Sequence, residues 1–121
     1  MRISILVQSD PFTSANGELA LRFAQSVVHS NHDLYRVFFY KQAVSIASKH
    51  AIAPQDEMQL TEMWIDLARK SKVELIVCVA AGQRRGLVQT VLADEFEIAG
   101  LGQMVEAMLE SDRTCLLYTS P

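Results

Sequence analysis

Short apolar runs alternate along this chain with stretches whose apolar residues recur every three or four positions. That alternation leaves few architectures open. Ile3 to Val7, Leu34 to Tyr40, Val73 to Val79 and Thr114 to Tyr118 are brief runs rich in β-branched or aromatic residues, as buried strands require. Between them, Ala20, Phe23, Ala24, Val27 and Val28 are spaced as one face of a helix. So are Leu60, Met63, Trp64, Leu67 and Ala68, and so are Leu101, Met104, Val105, Met108 and Leu109. The methionines Met63, Met104 and Met108 on these stripes are expected in the core. Polar stretches at Gln8–Gly17 and Ser30–Asp33 break the pattern as loops and turns. Lys41–His50 reads as a short helix with Ala43, Ile46 and Ala47 on one side, and Gln55-Asp56 as the start of the helix that follows. Phe96-Glu-Ile98 reads as a very short strand. Strands alternating with helices imply parallel pairing through right-handed crossovers. The expected fold is α/β: a three-layer sandwich with a mainly parallel sheet of about five strands and helices on both faces. The length of 121 residues fits one domain, 1–121, with no internal repeat or linker.

In an open parallel sheet, chemistry collects beyond the carboxyl ends of the strands. One stretch stands out there: Val73-Glu-Leu-Ile-Val-Cys-Val-Ala-Ala-Gly-Gln-Arg-Arg-Gly86. The spacing predicts a strand ending near Cys78, a small-residue turn at Ala80–Gly82, and a helix from Arg84 to Ala93 with Leu87, Val88, Val91 and Leu92 inward. A helix amino terminus favours negative charge, and Arg84 and Arg85 would add two cations. Such surroundings suit a thiolate, the reactive form of cysteine. Position alone leaves Cys78 open between this role and that of a small core residue. Arg84 and Arg85 at a helix front run against the dipole, and Gly86 inside a helix costs propensity. The Gln8–Gly17 loop and Tyr40 are expected at the same edge.

Other features narrow the chemistry. Lys and Arg total 11 against 14 Asp and Glu, a net charge of −3, which argues against a dedicated nucleic-acid surface. No apolar stretch reaches membrane-spanning length, and the apolar start Ile3–Val7 is too short for an export signal, so the cytoplasm is expected. Cys78 and Cys115 are the only cysteines, too few for a disulfide framework. Cys115, inside Thr114-Cys-Leu-Leu-Tyr118, reads as core. His29 and His32 lack further metal ligands nearby and, with His50, read as surface residues. Gly100-Leu-Gly102 lacks the rest of a phosphate-loop pattern. No metal or cofactor is expected. Cys78 and Arg84 do have the spacing of the anion-cradling loop in cysteine-dependent phosphatases. However, Val-Ala-Ala fills three of the five places between them, and no general-acid aspartate is evident.

Leu34–Tyr40, the block Cys78-Val-Ala-Ala-Gly-Gln-Arg-Arg-Gly86, and Ile98–Ala107 with Ser111-Asp-Arg113 resemble the DsrE/TusD sulfur-relay proteins. The similarity runs over nearly the whole chain and departs from the family between Val88 and Phe96, where the loop is shorter here. The resemblance implies a DsrE-like, flavodoxin-related fold and a sulfurtransferase subunit. It implies that Cys78 carries a persulfide, received from a donor protein and passed to an acceptor protein. In the TusD branch the sulfur goes to 2-thiolation of wobble uridine in tRNA; in the DsrE branch it serves sulfur oxidation. It also implies a heterohexamer with two smaller homologous subunits and no direct contact with nucleic acid. Persulfide transfer is thiol exchange and needs one reachable cysteine, no metal and no general-acid pair.

Overall fold

The computed structural model describes residues 1–11, 15–50 and 59–117. The expected helix start at Gln55-Asp56 and the end of the last strand at Tyr118 lie outside them. Within them the chain runs β1 (Arg2–Val7), α1 (Ala15–His29), β2 (Asp33–Phe39), a 3-10 segment (Lys41–Ala47) and α2 (Leu60–Ser71). It continues with β3 (Glu74–Cys78), α3 (Val79–Gln83), a 3-10 turn (Gln89–Val91), β4 (Phe96–Ala99), α4 (Leu101–Glu110) and β5 (Arg113–Leu117). The five strands form one sheet in the order β4-β3-β2-β1-β5, with every neighbouring pair parallel. The expected architecture is the observed one.

Parallel pairing forces each connection to cross over one face of the sheet. β1 to β4 follow one another in a single direction, so their right-handed crossovers share a face, where α1 and α2 touch each other. The return from β4 to β5 runs the other way and carries α4 across the opposite face. The core on the α1–α2 side is closed by aromatic packing. Phe39 meets Trp64 edge-on, with ring centroids 5.3 Å apart, and Phe96 at 5.7 Å. α1 ends where Asn31 takes the left-handed conformation (φ 62°), with His32 N–H donating to the Val27 carbonyl and Asn31 N–H to that of Val28. This is a Schellman stop, which matches the turn expected at Ser30–Asp33.

The α4 side is held by a charge that its sequence neighbours do not advertise. Arg36 sits in β2 and is 3% exposed. Its guanidinium donates to Glu74 at 2.7 Å, to the Gln103 carbonyl at 2.7 Å and to Glu106 at 3.1 Å, joining β2, β3 and α4. Burial by itself would push this group down; hydrogen bonds to Glu74 and Glu106 outweigh it and raise it above its ordinary range. A cation raised from an already high value keeps its charge at neutral pH, so the pairing with Glu74 and Glu106 is present there. Nearer the sheet's amino edge, Arg2 pairs with Asp33 at 3.2 Å and Ser4 Oγ meets Ser111 Oγ at 2.7 Å.

The final helix corrects one expectation. Its apolar residues do not all face inward: Met104 packs on the core and Ala107 is buried, but Met108 is 47% exposed. An amphipathic spacing identifies the helix; it does not say which part of a wide apolar arc meets the sheet.

Arg36→Met is expected to lower unfolding stability by about 2 kcal/mol, the loss of a buried pair discounted because both carboxylates are half exposed. Urea unfolding checks this, with a lower midpoint at unchanged slope.

Candidate functional site

The parallel sheet places the carboxyl ends of all five strands at one edge. Val7, Phe39 and Val77 lie in register across β1, β2 and β3, and Cys78 is the next residue, paired with Ala99 of β4. Gln8 and Tyr40 emerge at this edge as expected, their N–H groups bonded to the Leu117 and Val7 carbonyls. Residues 12–14 of the loop after β1 lie outside the described ones. Gly17, at the start of α1, comes so close to the chain that a Cβ there would stand 2.7 Å from Pro11 Cα.

Cys78 closes β3 and is at the same time the residue before α3, with extended backbone angles (φ −62°, ψ 124°). It is 1% exposed and belongs to the core cluster that also holds Ala81 and Leu87. The next residues, Val79 and Ala80, are already exposed. The sulfur is therefore buried at the rim of the sheet, at the junction of β3 and α3, closed off in this conformation.

The helical segment after Cys78 differs from the sequence expectation. Ala80–Gly82 is not a turn, and no helix runs from Arg84 to Ala93. The helix begins directly at Val79, because the small residues Ala80 and Ala81 continue the apolar run without a break. It stops at Gly86. Gly86 takes φ 69°, its N–H donates to the Gln83 carbonyl at 3.2 Å, and Leu87 N–H donates to the Gly82 carbonyl at 2.8 Å. This is again a Schellman motif, with Leu87 folded over Gly82 as its apolar contact. Gly86 is thus the terminator of a helix and not a cost inside one. Leu87 is buried as expected, but Val88 is 49% exposed. Beyond it the chain is pinned to the 3-10 segment: Ala93 N–H donates to the Ala47 carbonyl and Lys49 N–H to that of Val91.

Arg84 and Arg85 consequently lie at the carboxyl end of α3 and not at a helix front. There the dipole favours cations, and Arg85 donates to the Ala81 carbonyl at 3.2 Å. Both side chains are exposed. Arg84 stands six residues after Cys78, about 9 Å further along a helical path at 1.5 Å per residue. The segment between them is helical, so its N–H groups do not curl around an anion as the phosphatase spacing would need.

Cys115 is half buried in β5 and packs against the core. β2 and β1 separate it from β3, roughly 14 Å at the usual strand spacing, too far for a disulfide with Cys78. His29, His32 and His50 are exposed. Among the described residues no three His, Cys, Asp or Glu side chains are grouped to hold a metal ion, and no helix is long and apolar enough to cross a membrane. A recess of about 290 Å³ between α2 and residues 91–94 is lined by Lys49, Arg69, Glu62 and Asp94 among others. Arg69 is already paired there with Asp94 and Glu95.

An all-parallel five-stranded sheet among the described residues, with a buried cysteine closing an inner strand, defines the class: a small α/β protein. The chain belongs to the DsrE/DsrF-like family, whose model matches residues 1–115. It is 37% identical to the sulfurtransferase TusD homolog of Vibrio vulnificus, covering 93% of this chain and 95% of that one. It is 34% identical to the sulfurtransferase TusD of Proteus mirabilis (90% and 92%) and 32% identical to the protein named DsrE in Allochromatium vinosum (93% and 95%). By descent the chain is a sulfurtransferase. Its fold is that of the YchN protein of Escherichia coli, with a TM-score of 0.85 over 97% of this chain and 99% of that one at 24% identity.

Gly86→Ala is expected to cost about 1 kcal/mol, since a Cβ is disfavoured at positive φ. It should also loosen α3, so that a thiol reagent alkylates Cys78 several-fold faster; mass spectrometry of the labelled peptide measures the rate.

Proposed function

We propose that this chain carries sulfur as a persulfide on Cys78 in a protein-to-protein relay. The observation that carries the reading is the place of Cys78: the last residue of an inner strand, at the edge where a parallel sheet collects its chemistry, in a chain of sulfurtransferase kin. The Cys78 thiolate attacks the outer sulfur of a donor protein's persulfide. The new S–S bond forms as the donor's S–S bond breaks, and the donor leaves as a thiolate. An acceptor thiolate then attacks the outer sulfur of the Cys78 persulfide, taking it and restoring the Cys78 thiolate. No net oxidant is consumed, because the sulfane sulfur moves at constant oxidation state.

The burial of Cys78 adds a condition. Two sulfurs must meet in line, so the rim over Cys78 has to open when donor or acceptor docks. The exposed Arg84 and Arg85 then face the visiting protein and not the sulfur. In this reading the chain works in the cytoplasm, in a heterohexamer with two smaller homologous subunits, without touching nucleic acid itself. Its sulfur goes to the 2-thio group of wobble uridine, the reading favoured by the TusD relatives. The similarity to the Allochromatium vinosum protein favours a second destination, sulfur oxidation. Measuring 2-thiouridine in a deletion strain separates the two: loss supports thiolation, and an unchanged level supports oxidation.

Incubation with a persulfide donor should add the mass of one sulfur atom to the peptide holding Cys78. Cys78→Ser should gain none and Cys115→Ser should load normally. Loading on Cys115 alone would overturn the assignment.

A further inference from the structure

Gly100-Leu-Gly102 stands where β4 turns into α4, and the backbone requires neither glycine. Gly100 precedes α4 with ordinary extended angles (φ −83°, ψ 176°), and Gly102 takes no positive φ. A Cβ added at either would meet nothing within 4 Å. The two glycines leave the amino end of a ten-residue helix bare. Its first turn has no side-chain cap and no acidic residue, where a Ser, Thr, Asp or Asn cap is usual. Gln103 N–H is met by the Gly100 carbonyl at 3.1 Å, but among the described residues no acceptor meets the N–H of Leu101 or Gly102.

A buried sulfur without a partner faces the same side of the sheet. Arg36 of β2 reaches α4, and Glu74 of β3 lies beside it in register. Side chains alternate along a strand, so Phe38 and Tyr40 of β2 share this face with Ile76 and Cys78 of β3. Cys78 is paired in register with Ala99, one residue before Gly100. Strand spacing and chain length then put the Leu101 N–H no more than about 11 Å from the Cys78 Cα. Cys78 is 1% exposed, and its thiol has no hydrogen-bond partner among the described residues. Gly100, Leu101 and Gly102 are exposed.

We propose that the N–H groups of Leu101 and Gly102 hold the outer, anionic sulfur of the Cys78 persulfide, an inference that rests on Cys78 being the sulfur carrier. A persulfide lengthens the side chain by about 2 Å along the new S–S bond, from the buried thiol toward the open helix end. Its terminal S⁻ is a charged acceptor, and the amino end of α4 supplies free donors and the positive end of the dipole. The inner sulfur stays shielded. The outer one, which an acceptor thiolate attacks, is held where the glycines leave room for a visitor. Few charges compete there. Tyr40 of β2 and Glu97 of β4 flank Cys78 on this face. Lys41 follows Tyr40, Arg84 and Arg85 lie at the far end of α3, and Asp10 follows β1, two strands away. The first acidic residue of α4, Glu106, is bonded to Arg36.

The test loads the purified full-length chain with a persulfide donor, counts the added sulfur on Cys78 by mass spectrometry, and follows the near-ultraviolet absorbance of the persulfide anion against pH. Leu101→Pro deletes one N–H at a helix position where proline is favoured, after a residue that is already extended. Leu101→Ala trims the same exposed side chain and keeps the N–H. Gly102→Asp puts a carboxylate beside the outer sulfur while suiting the helix dipole, so it should be no less stable than wild type. At one fixed pH within the titration, the ratio of anionic to neutral persulfide is expected to be about tenfold lower in Leu101→Pro than in Leu101→Ala, as for a hydrogen bond to a charged group. It should fall by about the same factor from wild type to Gly102→Asp, through like-charge repulsion. Matching circular dichroism and unfolding curves establish that the variants fold. Equal ratios in the two Leu101 variants, or an unchanged ratio in Gly102→Asp, would overturn the proposal and leave Cys78 as the carrier. A wild-type chain that gains no sulfur on Cys78 would overturn both.

Discussion

The handedness of the crossovers governs this molecule. Four strands added in one direction stack their connections on one face, and the single return to β5 leaves α4 as the described helix on the other. Two consequences follow from that one constraint. All strand ends gather at one rim, where the chain turns from β3 into α3 at Cys78. And the thinly covered face has to be secured by something other than helix-on-helix packing.

Arg36 supplies that anchorage. A buried cation is costly unless its donors are used, and here three partners from two other elements use them. The interaction fixes α4 by its polar side, which decides the orientation of the helix. Its wide apolar arc is then divided between the sheet and the open surface. The same geometry that ties α4 down therefore creates the apolar face beside β5.

Much of the framework could be read from the residues. Ile3–Val7, Leu34–Tyr40 and Val73–Val79 each mark a strand to within a residue or two, because a buried parallel strand must be apolar on both faces. The turn-forming stretch Ser30–Asp33 marks the stop of α1, and the structure puts the left-handed residue at Asn31. Residues 79–93 were not read correctly, and the reason is specific. Val79-Ala80-Ala81 suits strand end, turn and helix alike, so nothing at Cys78 announces the change. The informative signal lay further on: two arginines, then glycine, then leucine, which is the pattern of a helix end and not of a helix start. The burial of Cys78 and the anchorage by Arg36 depend on contacts between distant segments and have no local signature.

A cysteine shut in at the junction of β3 and α3 can serve a relay only if that rim opens without the molecule unfolding. Local opening has a small dependence on denaturant, whereas global unfolding has the full slope. The most direct measurement is the rate of thiol labelling at Cys78 across low urea concentrations, compared with global unfolding under the same conditions. The account predicts labelling faster than global unfolding permits and nearly flat in urea. Labelling that tracks global unfolding at every urea concentration would contradict it.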